Sequence, residues 1–509
     1  MLRQLLKTSA LVALAVVPAA AQADWRQFET PHFIVYSESA ERDVVKLAEG
    51  LESVDGLMRL ATSLRDDVDP VKVRIYHVAS DNEVEKALGL NGSGVAGFYD
   101  NNILGPFAVT PRKTYFGHGN FTPELVLHHE YAHHFMLQYF PAIYPSWYVE
   151  GFAELIGSST ALPDGRIAYG MPAKHRGGEI SANWVSLEEL LLKPPEKIRN
   201  LDLYGQGWAL THFFTFSKTR APQMRRYLAA LGAGTPPAQA AQVFGDLGEL
   251  NREAHHYLDA GSFEYRPLKI TVKQPVIERT RAITPGEAAL IPEVIAFRDD
   301  DLSSYRKESE RAREKKLRGD NLARIREKAQ RLPNDPYALY LLGEAEYVAG
   351  HYGAAEAAAD RLLAIQPNHA RAMVRKSLAM SQAAGRLTGA ARADMAATAR
   401  QLAVRASKAD PNDPLPLLAY YESFKLAGST PPKTAVNDLA SVVATLPHNT
   451  GIRQLLVDEL ASQRRWAEAI AVLSSIANST HQSPQRDAAR EQMAKLQAEM
   501  AKQQGTSSS

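Results

Sequence analysis

The feature that most constrains the fold of this chain is a short segment in which two histidines flank a glutamate as His129-Glu130-x-x-His133. On an α-helix, side chains at i and i+4 share one face, so both imidazoles can reach the same metal ion. Flanking residues favour a helix, because Thr122 suits an N-cap and Pro123 suits the first helical position. Two neutral imidazoles with an open side favour zinc.

A zinc site of this kind needs a third protein ligand. Glu150 follows the histidines at a distance that lets a second helix fold back against the first, and Glu154 is a rival one helical turn later. The pattern alone is weak, since most chance matches to it are ordinary helical residues. The flanking His128 and His134 point away from the shared face, so we expect them to pack or to support the ligands.

Two further residues complete the expected chemistry. Glu130 follows the first ligand directly and is placed to take a proton from metal-bound water. Tyr204 stands at a glycine-punctuated entry into an apolar helix, as Tyr204-x-x-Gly207. It could donate a hydrogen bond to an oxyanion facing the zinc, and the alternative is a core aromatic.

Three motifs together resemble the gluzincin metallopeptidases, the clan of thermolysin and aminopeptidase N: His129-Glu130-x-x-His133, Trp147-x-x-Glu150-Gly151 and Tyr204-x-x-Gly207. The likeness is greatest to the peptidase-MA-like group of exported bacterial proteins and covers residues 25–265. It implies an α+β zinc metallopeptidase domain acting on peptides or proteins. The residues it assigns are the zinc ligands His129, His133 and Glu150, the general base Glu130, the transition-state tyrosine Tyr204, and Glu154, which would orient a ligand histidine.

One departure from the family pattern bears on specificity. The Gly-x-Met-Glu-Asn signature with which the aminopeptidase branch holds a free amine does not precede the metal helix. The resemblance therefore favours an endopeptidase, or an enzyme with a narrow dedicated substrate, over an aminopeptidase.

Composition excludes several function classes. The chain has 509 residues, and its 58 Lys and Arg nearly balance its 57 Asp and Glu, which gives no reason to expect nucleic acid as a partner. The absence of cysteine excludes disulfides, thiolate zinc sites and a cysteine nucleophile.

Residues 1–23 read as a secretory signal peptide. Arg3 and Lys7 form a basic region, residues 10–17 an apolar core too short to span a bilayer, and residues 21–23 a small-x-small cleavage site. An uncleaved anchor is the alternative. We expect an exported protein, periplasmic or secreted, with no transmembrane segment in the mature chain.

The domain predicted at residues 24–265 begins with alternating strands and helices, so a sheet precedes the metal helix. The predicted strands are residues 33–36 and 71–77, the predicted helices are residues 40–62 and 82–88, and a hairpin is expected around Asp100-Asn101. A sheet edge beside a metal site can hold an extended peptide by backbone pairing.

Residues 266–331 are predicted to link this domain to the rest of the chain. Residues 268–276 and 288–297 could add strands, separated by a turn at Thr284-Pro285-Gly286. A charged helix with a surplus of Lys and Arg is expected over residues 305–330, most simply as a solvated connector; the alternative is a surface that meets an acidic partner or lipid head groups.

Residues 332–500 are predicted to form an all-α solenoid. The spacing from Asn334-Asp335-Pro336 to Pro367-Asn368 is close to the tetratricopeptide unit of about 34 residues, and the segment resembles such repeats. Stacked helix pairs present a surface for a protein partner or substrate, or serve only as a packing appendage. Residues 501–509 are expected to be a disordered tail. A non-catalytic repeat scaffold with a peptidase-like domain is the alternative to an enzyme.

Overall fold

A computed structural model describes residues 25–65, 71–90, 95, 97–113, 121–140, 144–182, 184–192, 200–233, 235–477 and 483–506. The predicted signal peptide lies outside these residues. Among the described helices, none combines the length and the apolar composition needed to cross a membrane.

The N-terminal part is built on two sheets. In chain order the strands are β1 (Arg26–Glu29), β2 (Phe33–Ser37), β3 (Val73–Val78), β4 (Phe98–Asn102), β5 (Gly105–Pro111), β6 (Thr160–Ala161), β7 (Ile167–Tyr169), β8 (Arg266–Leu268) and β9 (Arg279–Ala282). Within the described residues, one sheet has the order β4-β5-β3-β2-β1-β9 and the other the order β6-β7-β8. The β2–β3 and β3–β5 pairs are parallel and the other pairs of the larger sheet are antiparallel, which leaves β4 at an edge.

Alternation along the strands directs apolar side chains towards two flanking helices, α1 (Glu41–Thr62) and α2 (Asp81–Leu88). In β2 the side chains of Phe33 and Val35 are buried, and they share a core with Leu51 and Leu57 of α1. The strands and helices predicted before residue 90 are present within two residues of their expected ends.

The hairpin turn differs from the prediction. Asp100 and Asn101 lie inside β4, and the turn is formed by the two residues between Asn102 and Gly105. Gly105 has a φ of 116°, a conformation that glycine adopts without strain. This backbone requirement, rather than the Asp-Asn pair, fixes where the chain reverses.

The region after the large sheet is helical. Its helices are α3 (Pro123–Tyr139), α4 (Ser146–Gly157), α5 (Gly177–Ala182), α6 (Leu187–Leu192), α7 (Asn200–Phe216), α8 (Arg220–Gly232), α9 (Pro237–Ala240) and α10 (Leu247–Asp259). Helix α3 packs on β4 and β5, and α4 packs on both α3 and α7.

The strand predicted at residues 288–297 is wrong, because this segment lies in a helix, α11 (Pro285–Ile295). Thr284 and Glu287 form a capping box, and Pro285 occupies the first helical position. The Thr-Pro-Gly sequence therefore starts a helix instead of making a turn. The strand predicted at residues 268–276 is also reduced, since β8 ends at Leu268.

The charged segment forms α12 (Glu308–Arg331), and the remaining described chain is a helical repeat region. Its helices are α13 (Pro336–Val348), α14 (Tyr352–Ile365), α15 (Ala370–Ala384), α16 (Gly389–Ala409), α17 (Leu415–Lys425), α18 (Lys433–Thr445), α19 (Thr450–Ser462), α20 (Trp466–Ala477) and α21 (Pro484–Thr506). Each helix packs on the next in the chain, as in a solenoid of helix pairs.

The spacing of these pairs explains why the repeat pattern is regular at the ends and loose in the middle. Helices α13 and α15 begin 34 residues apart, at Pro336 and Ala370, and α19 and α21 also begin 34 residues apart, at Thr450 and Pro484. Between them α16 has 21 residues, which lengthens the second pair. The predicted disordered tail begins as a continuation of α21, because residues 501–504 are good helix formers; residues 507–509 lie outside the described part.

Candidate metal centre

Helix α3 begins as the sequence predicts. The side chain of Thr122 accepts a hydrogen bond from the backbone N–H of Leu125 at 3.2 Å, and Pro123 is the first helical residue. The helix therefore starts in a fixed register, and the two histidines four residues apart face the same side.

The structure brings His129, His133 and Glu150 together. The two Nε2 atoms lie 3.1 Å apart, and Oε2 of Glu150 lies 3.5 Å from Nε2 of His129 and 3.3 Å from Nε2 of His133. Ligands about 2.0–2.2 Å from a tetrahedral zinc ion would be about 3.3–3.6 Å from one another. The three donor atoms are thus spaced as ligands of one ion would be.

Close helix packing at two glycines sets the position of Glu150. A Cβ atom on Gly151 would lie 2.1 Å from the carbonyl oxygen of Gly207, and a Cβ atom on Gly207 would lie 2.6 Å from that of Trp147. Helices α4 and α7 can therefore approach this closely only because both residues are glycine. The contact explains the glycines that follow Glu150 and Tyr204 in the sequence motifs.

A third glycine holds α4 against the metal helix. A Cβ atom on Gly157 would lie 3.1 Å from the carbonyl oxygen of Leu125 and 3.3 Å from Cβ of His129. Sequence analysis missed this residue. The signal was its place one helical turn after Glu154, on the face that the two carboxylates share.

Glu154 lies behind the ligands. Its Oε1 is 3.4 Å from Nδ1 of His129, on the opposite side of the ring from the nitrogen that faces Glu150. The carboxylate also contacts His175 at 2.7 Å and Arg176 at 2.8 Å. Sequence analysis missed both residues, because they lie in the long connection between α4 and α7, where nothing marks them as partners of a distant glutamate.

The charges around Glu154 keep it ionised. Burial disfavours its charged form, but the hydrogen bond from His175 and the positive charges of His129 and Arg176 outweigh burial and lower its pKa to about 2. An ionised carboxylate facing Nδ1 favours the imidazole form that keeps its proton on Nδ1 and leaves Nε2 free to bind a metal.

Negative charge surrounds His129. Burial disfavours the imidazolium, but the neighbouring carboxylates of Glu150, Glu154 and Glu130 outweigh burial and raise the pKa of His129 to about 9. The site thus stabilises a positive charge at the point where the three donor atoms converge. Two imidazoles and one carboxylate form a donor set that zinc prefers, so the residues present fit this metal.

Glu130 and Tyr204 lie close enough to His129 to interact with it. Glu130 is half-buried, and its charge acts on both His129 and Tyr204. The Tyr204 ring lies 6.1 Å from the His129 ring, with the Arg176 guanidinium 4.5 Å above it. Burial and the charge of Glu150 raise the pKa of Tyr204, so its hydroxyl keeps its proton and remains a hydrogen-bond donor.

The two flanking histidines take different places. His128 lines a cavity of about 510 Å³ together with Gly157 and His175, and burial lowers its pKa to about 4. His134 is buried, and its Nδ1 lies 2.9 Å from the hydroxyl of Tyr99. Neither belongs to the group of donor atoms formed by His129, His133 and Glu150.

Comparison with known proteins gives no family assignment. No family model and no curated protein matches the sequence. Among the solved structures to which the chain is similar are the following three. TTC0263, a thermophilic TPR protein in Thermus thermophilus, has 21% identity and a TM-score of 0.32 over 36% of this chain and 91% of that one. The MamA RS-1 ArsTM double mutant has 18% identity and a TM-score of 0.23 over 36% and 94%. Yeast Tom70 has 10% identity and a TM-score of 0.25 over 73% and 70%. At these TM-scores the likeness carries no argument about function.

Proposed function

We propose that this protein is a zinc-dependent metallopeptidase of the gluzincin type that hydrolyses peptide bonds. The observation that carries the proposal is the convergence of one atom each from His129, His133 and Glu150, at separations of 3.1–3.5 Å. Two of these residues come from α3 and one from α4. Because a general base stands next to the first ligand, the arrangement is suited to hydrolysis as well as to metal storage.

A zinc ion held by these three residues would supply Lewis acidity, polarising the substrate carbonyl and activating water. The protein's own groups do the rest. Glu154 holds His129 in orientation through Nδ1, and Arg176 and His175 hold Glu154. This chain of contacts fixes the ring plane of a ligand, which affects metal affinity and geometry.

Glu130 is the proposed general base. It is half-buried beside the ligands, where its carboxylate accepts the proton of the attacking water and can later deliver it to the leaving amine. Tyr204 is the proposed oxyanion donor, because its protonated hydroxyl belongs to a ring beside His129. A donor aimed at developing charge acts chiefly in the transition state.

The substrate class follows from the resemblance. We propose endopeptidase action on a peptide or protein substrate, since the amine-binding signature of the aminopeptidase branch is not found in the sequence. Residues 1–23 support export to the periplasm or the medium. The repeat region is proposed to take part in recruiting a substrate or a protein partner.

The experiment is hydrolysis of a mixed peptide library by the purified mature chain, stripped of metal and then reloaded with zinc. We expect zinc-dependent cleavage that Glu130→Gln abolishes while zinc content stays the same. Glu130→Gln is nearly isosteric, so it serves as the matched control for contaminating peptidases. Cleavage that persists in this variant would contradict the proposal.

A second candidate function is a non-catalytic scaffold. The observation that favours it is the extent of the stacked helices α13–α21, which occupy much of the chain and form the kind of surface that binds proteins. A scaffold has no need of a general base or of an oriented zinc ligand. If the wild-type protein binds no zinc and cleaves no peptide in the library, the scaffold becomes the better account.

A further inference from the structure

Outside the metal centre, the contact that stands out joins the repeat region to the metal helix. His448 lies just before α19, yet its ring stacks on that of His134 in α3, with centroids 4.5 Å apart and planes 3° apart. His134 is the residue next to His133 in the sequence. His448 of the repeat region therefore contacts His134, which follows the predicted zinc ligand His133 in the sequence.

The ring of Tyr131 also stacks with that of His134. Their centroids lie 5.7 Å apart and their planes differ by 16°, so His134 contacts the rings of both Tyr131 and His448. All three side chains are buried. Stacking between aromatic rings favours a single position for His134.

Tyr99 of β4 joins the two histidines by hydrogen bonds. Its hydroxyl oxygen lies 2.9 Å from Nδ1 of His134 and 3.1 Å from Nδ1 of His448. A hydroxyl donates one hydrogen bond and can accept two, so at least one of the two histidines must donate to it.

The direction of these bonds follows from the other nitrogen of His448. This Nε2 is buried, and no residue in the described part of the chain gives it a hydrogen-bond partner. A buried N–H group without an acceptor is rarer than a buried unprotonated nitrogen without a donor. We therefore assign the proton of the His448 ring to Nδ1. His448 then donates to Tyr99, which leaves the hydroxyl proton of Tyr99 available to Nδ1 of His134.

The turn between β4 and β5, which follows Tyr99 in the chain, also contacts the repeat region. Ile103 packs among the apolar side chains of the repeat region. Its backbone N–H donates to Asp299 at 2.7 Å, and its carbonyl oxygen accepts from Arg371 of α15 at 3.4 Å. The repeat region thus binds the chain's own hairpin as well as its metal helix.

From these contacts we propose that the repeat region positions the metal-binding helix, with His448 as the positioning residue acting through Tyr99 and His134. This role differs from recruitment of a partner, because the repeat region would restrain the position of α3 within the same chain. The consequence for zinc binding rests on the proposed function, whereas the restraint on α3 does not.

The test compares three variants by hydrogen exchange of the α3 amides in the full chain, without added metal. His448→Phe keeps a ring for stacking but loses the hydrogen bond, His448→Asn keeps a donor near the position of Nδ1, and Tyr99→Phe removes only the hydroxyl. His448→Phe removes one hydrogen bond and Tyr99→Phe removes two. Both changes should make α3 exchange at least about 2- to 10-fold faster, with partial restoration in His448→Asn. His351→Gln, a partly exposed histidine of the same region, is the matched control and should leave α3 unchanged.

A second measurement follows zinc affinity by competition with a chelator. We expect both Phe variants to bind zinc more weakly than wild type, by less than the about 10- to 100-fold expected of a residue that touches a ligand. Unchanged α3 exchange in both Phe variants would overturn the proposal, as would faster exchange spread evenly over the whole chain. If the wild-type chain binds no zinc, the proposed function fails, and the exchange result still decides the positioning role.

Discussion

In the described part of the chain, two clusters of three histidine and acidic side chains lie close enough to share an ion, and they differ in where their donor atoms point. In the first, His129, His133 and Glu150 direct one atom each to a common point. In the second, His32 uses both ring nitrogens, with Nδ1 at 2.6 Å from Glu52 and Nε2 at 3.5 Å from Asp55. The residue types are alike, but the second cluster offers a single imidazole, and its two carboxylates contact different nitrogens of that ring.

In the second cluster, the carboxylate oxygens of Glu52 and Asp55 already accept hydrogen bonds from other residues. Glu52 accepts from the hydroxyl of Thr30 at 2.6 Å as well as from His32. Asp55 accepts from the hydroxyl of Tyr131 at 2.6 Å and from Arg59 at 2.5 Å. Every carboxylate oxygen already has a donor, so a cation would have to displace several strong bonds.

A candidate metal site is therefore recognised by donor atoms that converge on one point and not by the residue types in the cluster. The second cluster still serves the first, because Tyr131 belongs to α3 and its hydroxyl ties that helix to α1. One cluster is suited to bind an ion, and the other holds the helix that carries two of the proposed ligands. The variants below test this division of roles.

The largest difference is expected for the two glutamates Glu130 and Glu52. Glu130→Gln should lower kcat by at least about 10²–10⁴, the usual contribution of a general base, because the amide cannot accept the proton. Glu52→Gln should leave kcat per folded molecule near the wild-type value. Single-turnover assays with zinc content measured in parallel would check this, and similar losses of kcat in both variants would remove the distinction.

Tyr204 near the candidate metal centre and Tyr131 in the second cluster should respond differently to loss of the hydroxyl group. Tyr204→Phe should lower kcat by about 10²–10³ with little change in KM, as loss of an oxyanion donor does. Tyr131→Phe should instead lower the free energy of unfolding by about 1–3 kcal/mol, since it leaves a buried oxygen of Asp55 without a donor. Should Tyr204→Phe retain wild-type kcat, the tyrosine is a core residue and another group must donate.

A smaller effect is expected on metal affinity. Glu154→Gln should weaken zinc binding about 10- to 100-fold, because the amide orients His129 less well. The matched change in the second cluster, Asp55→Asn, should leave the zinc dissociation constant unchanged. Complete metal loss in Glu154→Gln with retention in Glu150→Gln would exchange the roles of the two glutamates.

The smallest effect concerns the packing of α4 on α3. Gly157→Ala should lower the free energy of unfolding by about 1 kcal/mol, since the added methyl group crowds His129 and Leu125. Gly177→Ala is the control, because a Cβ atom there meets nothing within 4 Å. Thermal unfolding would show the difference, and equal melting temperatures would mean that α4 shifts without cost.

Local signals in the sequence anticipated much of the fold around α3. Its N-cap, its proline and the four-residue spacing of its histidines depend on neighbours in the chain, so they can be recognised without a structure. The same holds for the first strands and for the 34-residue spacing of the repeats at Pro336 and Ala370. At Thr284 the sequence predicts a turn and the structure has the start of a helix, because a capping box and a turn use the same residue types.

What the sequence could not reveal depends on contacts between distant segments. His175 and Arg176 reach Glu154 across a long connection, and His448 reaches Tyr99 across 349 residues. The small spacing between α4 and α7 depends on two glycines meeting, which neither glycine signals alone. The residues that position the proposed ligands therefore cannot be predicted from the sequence, whereas the proposed ligands themselves can.

The most direct test of the central claim is the zinc content of the purified mature chain and of two single variants, measured by elemental analysis. The wild-type chain should carry about one zinc ion, His133→Ala should lose it, and His32→Ala should keep it in each folded molecule. Full zinc content in His133→Ala, or its loss only in His32→Ala, would contradict the assignment of the metal centre to α3 and α4.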